Sequence, residues 1–196
     1  MENEPITADD NTVIFRPSEF EMLLKGAKKP EHKINLRTCL FLGARYLELV
    51  EIQKNPEWFD GNFIRLPQGT EKKVKRHWRK RTIHLNPMGK QILEQFFDNR
   101  RLPTRKNWND DLKRWCNRGG FDPIGYNEDG SVKWSVRPKS TRKTIESWLM
   151  AIYPERSLEI CLSQGHTQTT SLQHYMNLGF DEVDKIKIRS YVEGWG

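Results

Sequence analysis

Residues 63–85 read Phe63-Ile-Arg-Leu-Pro-Gln-Gly-Thr-Glu-Lys-Lys-Val-Lys-Arg-His-Trp-Arg-Lys-Arg81-Thr-Ile-His-Leu85. Phe63 to Leu66 and Arg81 to Leu85 alternate apolar with polar side chains or carry β-branched residues, as short strands do. Between them, Lys72 to Arg81 holds seven basic groups and no acidic one. The stretch predicts a small antiparallel sheet with a long, protruding basic loop.

On both sides of this stretch the pattern turns helical. Ser18 and Glu21 have capping-box spacing behind Pro17, and Phe20, Leu23, Leu24 and Ala27 follow the i, i+3, i+4, i+7 rule of an amphipathic helix. Residues 32–42 read as a buried helix, and after Gly43 the run Ala44-Arg-Tyr-Leu-Glu-Leu-Val starts another. Asn86-Pro87 is a cap and first-turn pair for a helix burying Met88, Ile92, Leu93 and Phe96. A helix over 107–117 buries Trp108, Leu112 and Trp115 and stops at Gly119-Gly120. Residues 121–136 read as loop, with a turn at Asn127-Glu-Asp-Gly. A helix over 139–152 buries Ile145, Trp148, Leu149 and Ile152; a short one ends at Gly165, and two more follow around 168–177 and 181–193. The first ten residues hold four acidic groups and no basic one, so residues 1–14 read as an acidic flexible tail. The expected fold is mainly α with a small antiparallel β-sheet, formed by residues 15–196.

A chain of 196 residues suits one domain with its own core. The net charge of +7, with a pI near 9.3, suits a polyanionic partner. Apolar runs fall far short of the roughly 20 residues that cross a membrane, and Met1-Glu-Asn-Glu-Pro lacks the basic start of a signal peptide. Cys39, Cys116 and Cys161 are an odd set without close spacing, which fits neither a disulfide framework nor a zinc site and suits a reducing cytoplasm. No metal motif, phosphate-binding glycine loop or Gly-x-Ser-x-Gly elbow is present, so neither metal nor cofactor is expected.

What stands out is a spread set of cations ending in a tyrosine. Four segments carry it: Leu42-Gly-Ala-Arg45-Tyr-Leu-Glu48-Leu; the basic hairpin ending Arg81-Thr-Ile-His-Leu; Lys139-Ser-Thr-Arg142-Lys-Thr; and Leu162-Ser-Gln-Gly-His166, followed nine residues later by Tyr175. In order and spacing this resembles the catalytic domain of the tyrosine recombinases, or integrases, over residues 16–180. The wording of the last two boxes looks most like the archaeal and archaeal-virus branch. The resemblance implies the DNA breaking-rejoining fold and a site-specific recombinase acting on double-stranded DNA. It also implies assembly as a homo-tetramer on paired sites.

Chemistry explains the residue types. A phosphodiester repels nucleophiles, and its pentavalent transition state spreads more negative charge over the non-bridging oxygens, so catalysis rests on positioning and electrostatics. Arginine holds two phosphate oxygens in a planar fork and stays charged. Arg45 and Arg142 are the expected clamp. By resemblance Tyr175 is the nucleophile, forming a 3′-phosphotyrosyl link that preserves the bond energy, so rejoining needs no ATP. His166 would hydrogen-bond a non-bridging oxygen, and Glu48 would support Arg45. In the family a hairpin lysine protonates the leaving 5′-oxygen. Here Lys72, Lys73, Lys75 and Lys80 compete, and Lys73 and Lys75, which share a face if extended, are the favoured pair. Lys72, Arg76, Arg79, Lys80 and Lys143 are expected to contact DNA.

Two departures stand out. Lys139 replaces the usual histidine: imidazole, with a pKa of about 6.5, can take a proton from tyrosine, whereas lysine at about 10.4 is mostly a charged donor. Lys139 is therefore assigned to phosphate contact. Family members also carry a helical core-binding domain ahead of the catalytic one, and its place here holds only the short acidic segment, as expected of a fragment or of a minimal enzyme. The C-terminal helix, with Ile188, Tyr191 and Val192 in one stripe, is expected to pack in a groove of its own protomer or of a neighbour. The competing functions are a non-cleaving DNA-binding regulator and a type IB topoisomerase-like nicking-closing enzyme. Trp108, Trp115 and Trp148 fall on buried faces and read as core, not as base-stacking platforms.

Overall fold

The expected strand pair forms. β1 (Phe63–Leu66) runs antiparallel to β2 (Arg81–His84), with Ile64 opposite Ile83 and Leu66 opposite Arg81. The structure, a computed structural model, describes residues 6–8, 11–68, 80–99, 102–134, 136–165 and 178–195. Most of the basic connection between the strands lies outside them. The period of two in a strand puts Ile64, Leu66, Arg81 and Ile83 on one buried face.

The chain is mainly helical around this pair. α1 (Pro17–Gly26), α2 (Pro30–Leu42) and α3 (Tyr46–Lys54) precede it, and α4 (Pro87–Phe97) and α5 (Arg105–Gly119) follow. β3 (Gly125–Tyr126) and β4 (Val132–Lys133) make a second antiparallel pair, and then come α6 (Ser140–Ile152), α7 (Ser157–Gln164) and α8 (Glu182–Val192). α6 is the central helix. It contacts α2, α7 and α8, and it is buried on nearly every side from Ser140 to Met150. Trp148 packs edge-on to Phe20 of α1 and tilts against Tyr191 of α8, with ring centroids 6.4 and 5.0 Å apart. Trp108 and Trp115 pack edge to face within α5. Ile188 and Val192 of α8 are in the core, so the C-terminal helix packs on its own chain. Among the described residues no helix is long and apolar enough to cross a membrane. Cys39, Cys116 and Cys161 are separate buried thiols.

The structure corrects several expectations. α1 is capped at Arg16 rather than Ser18. Pro17, with its preset φ and no N–H, takes the first helical position, and the Glu19 carboxylate accepts the Arg16 N–H at 2.6 Å. Met88 is 41% exposed because it sits in the first turn of α4, off the face that buries Ile92, Leu93 and Phe96. Residues 121–136 are not plain loop. The turn at Asn127, closed by the Gly130 N–H to the Asn127 carbonyl, folds β3 onto β4, in strands too short to show alternation.

The largest correction is at the N-terminus. Ile6, Ala8, Val13 and Ile14 are buried, and the Ile14 N–H donates to the Ile6 carbonyl at 2.8 Å. Phe15 is fully buried, donates its N–H to Thr144 Oγ1, and accepts Trp148 Nε1–H at its carbonyl, both at 2.9 Å. Arg16 pairs with Asp184 of α8. The acidic composition hid an apolar pattern that serves as part of the core. Thr144→Val keeps the side-chain volume but orphans the buried Phe15 N–H. It is expected to cost about 1–3 kcal/mol, read as a lowered midpoint in urea unfolding. A freely moving tail would give no shift.

Candidate active site

The candidate site is built around one carboxylate. Gly43 ends α2 in the left-handed region at φ 53°, and two residues later Arg45 starts α3. Glu48 stands three positions on and reaches back to accept the Arg45 N–H at 2.7 Å. That local bond holds the carboxylate at the start of α3, where it is 1% exposed. Arg81 arrives from β2. It shares a strand face with Ile83, so its side chain must enter the protein. There it forms a two-pronged pair with Glu48, Nη1 to Oε1 and Nη2 to Oε2, both at 2.9 Å. Arg45 Nη1 lies 3.2 Å from Oε1, and Arg142 Nη1, from α6, lies 3.7 Å from Oε2. Three guanidiniums from three separate elements therefore converge on one carboxylate.

Arg142 is held from the other side by two helix ends. Its Nη1 donates to the Gly43 carbonyl at 2.8 Å, and its Nη2 donates to the Gln164 carbonyl. These carbonyls close α2 and α7, the negative ends of both helix dipoles, which favour a cation. Both helices end on a left-handed glycine, and both glycines are also hemmed in. A Cβ at Gly43 would stand 2.3 Å from Gln164 Oε1, and one at Gly165 would stand 3.1 Å from Arg81 Cδ. The glycines thus allow two helix ends to meet at the arginines.

Burial pushes the Glu48 carboxyl up, but Arg81, Arg142 and the Arg45 N–H together outweigh it and hold the group below its ordinary value of 4.5. Burial, and then the Arg81 charge, lowers Arg142 to about 10, with Glu48 and Glu146 opposing. The guanidinium remains charged at neutral pH. Among the described residues, three guanidiniums face two carboxylates, a positive imbalance.

The other expected site residues divide into two groups. Arg45 has a side chain 48% exposed, far more than Arg81 or Arg142, although its Nη1 donates to the buried Glu48 carboxylate. Lys139 precedes α6 and is half-buried, one turn ahead of Arg142 on that helix, and Lys143 is also half-buried. Lys80 is exposed immediately before β2. Lys72, Lys73, Lys75, Arg76, Arg79, His166 and Tyr175 lie outside the described residues, as does Trp78. The structure therefore brings Arg45, Glu48 and Arg142 together, and it adds Arg81, which sequence reasoning placed only at the end of the hairpin. Among the described residues no three His, Cys, Asp or Glu side chains gather as metal ligands do.

An arginine cluster of this kind can hold an oxyanion. Arg45 offers the exposed donors, and the buried arginines add a fixed positive field in a low-dielectric setting. No protein-family model, no curated protein and no solved structure matches the chain.

Proposed function

We propose that the protein is a DNA strand transferase of the tyrosine-recombinase type, cutting and rejoining duplex DNA at specific sites without metal or ATP. The observation that carries the reading is the gathering of Arg45, Arg81 and Arg142 around Glu48. Arg45 and Arg142 stand in two of the four boxes that suggested the chemistry. In the proposed reaction Tyr175 attacks as the tyrosinate, its proton released to solvent under the influence of the nearby cations, and its oxygen bonds to the scissile phosphorus as the bond from phosphorus to the 5′-oxygen breaks. The 3′ end stays linked to the tyrosine, and the leaving 5′-oxygen takes a proton from Lys73 or Lys75. A 5′-hydroxyl attacking the phosphotyrosine reverses each step. Arg45 contacts the non-bridging oxygens together with His166 and Lys139. Arg142, the second arginine of the clamp, adds its charge from behind Arg45, and Glu48 and Arg81 are positioning residues. Lys72, Arg76, Arg79, Lys80 and Lys143 hold the duplex, and paired sites are bridged by a homo-tetramer.

One observation favours a second reading, a DNA-binding regulator that does not cleave. Arg142 is 4% exposed, and both of its Nη groups already donate to backbone carbonyls. On that reading Arg142 serves only to brace two helix ends, and the cluster binds DNA without cleaving it.

A nicked, end-labelled duplex that loses a short 5′-hydroxyl fragment on cleavage would trap the covalent adduct. On a denaturing gel a shifted band is expected with the native protein, and none with Tyr175→Phe. Binding without any band would favour the regulator. A band that survives in Tyr175→Phe would overturn the assignment of the nucleophile.

A further inference from the structure

A second cluster of cations lies beyond the arginine centre. α5, the β3–β4 hairpin and the segment leading into α6 enclose an open cleft of about 470 Å³. Five basic side chains line it: Arg105 and Lys113 from α5, Lys133 from β4, and Arg137 and Lys139 ahead of α6. Arg105, Lys113 and Lys133 are exposed, and Arg137 and Lys139 are half-buried. Among the described residues no acidic side chain lines the cleft. Lys113 acts on the Asp129 carboxylate of the hairpin, which accepts the Ser131 N–H within its own turn at 2.9 Å.

We infer that this cleft is a DNA-backbone site, in which the cations take successive phosphates of one strand of the duplex beside the cleavage point. The inference rests on the strand-transfer reading above and extends its contact surface to Arg105, Lys113, Lys133 and Arg137. Two features select a nucleic-acid strand over a free anion. The first is the mixed lining. Trp134, half-buried against the core, lies among the cations with several aliphatic side chains, and this surface suits the apolar face of a deoxyribose between two phosphates. The second is continuity. Lys139 belongs both to the cleft and to the start of α6, and Arg142 follows it at i+3 on the same helix face, so a strand in the cleft is led toward the arginine cluster.

The test is binding of a short labelled duplex, followed by fluorescence anisotropy between about 50 and 200 mM salt. The double variant Lys133→Gln/Arg137→Gln is compared with the native chain, and thermal melting confirms that both are folded. Each phosphate contact contributes about 0.9 to the slope of log affinity against log salt. The variant is expected to flatten that slope by about 1.8 and to weaken binding roughly tenfold or more near physiological salt. A native chain that binds duplex while the folded variant keeps its slope and affinity would overturn the cleft and leave the strand-transfer reading standing. A native chain that binds no duplex at all would overturn both. An A-form RNA duplex bound as tightly, and lost equally in the variant, would overturn the assignment to DNA.

Discussion

Glu48→Gln is expected to lower the stability of the fold by about 3–5 kcal/mol, the usual cost of removing one partner from a buried ion pair. For a chain of this size that amounts to a fall of roughly 6–20 °C in melting temperature. Glutamine preserves the volume and one carbonyl acceptor. It removes the charge on which Arg81, Arg45 and Arg142 converge, so two buried guanidiniums lose their compensation at once. The effect is pH-dependent with a definite sign. The folded protein holds the Glu48 carboxyl below 4.5, so the stability it contributes is complete above that value. On acidification the unfolded chain takes up its proton first, and the contribution fades as pH falls through the lower folded value. Urea unfolding at neutral and at acid pH should therefore show a large gap between native and variant that narrows in acid. Equal midpoints at neutral pH would mean that the carboxylate is not what holds the arginines.

The sequence revealed those parts of the structure that obey one local rule. The β1–β2 pair was legible because a basic run of opposite character separates two β-branched stretches. α5 was legible from Trp108, Leu112 and Trp115, and α4 from its cap, where Asn86 Oδ1 accepts the Gly89 N–H at 2.8 Å. The spacing of Arg45 and Glu48 also held, because a carboxylate at the third position of a helix can reach back to its start. Arg81 escaped because in the sequence it ends a run of basic residues. Yet the alternation fixed by Ile83 points it inward, and an inward arginine on a short strand demands a buried anion, so that signal was available. The N-terminal segment escaped for the opposite reason: its acidic groups dominate the composition, while Ile6, Val13, Ile14 and Phe15 decide its packing. No sequence rule foretells that Gly43 and Gly165 bring two helix ends onto one guanidinium, since the elements that meet there are far apart in the chain.

The two clamp arginines, equivalent in the sequence, are expected to part company when mutated. Arg142→Ala removes a buried cation that satisfies the Gly43 and Gln164 carbonyls and faces Glu48. It leaves a cavity, orphaned carbonyls at two helix ends and a less balanced carboxylate, a combined loss on the order of 3–5 kcal/mol. Arg45→Ala removes a side chain 48% exposed, and an ion pair so open to solvent contributes about 0–1 kcal/mol. Its expected effect lies in the chemistry. If Arg45 offers the fork that meets the developing charge on the scissile phosphate, its loss slows formation of the trapped adduct by roughly 10²–10³, as removing one preorganised donor does. Thermal melts beside single-turnover adduct formation separate the two. Arg142→Lys provides a control that keeps the charge but lacks the planar fork needed to span both carbonyls. A folded Arg45→Ala protein with unchanged adduct rate, beside a folded Arg142→Lys protein with none, would reverse the assignment: Arg142 would meet the phosphate, and Arg45 would be a surface partner of Glu48.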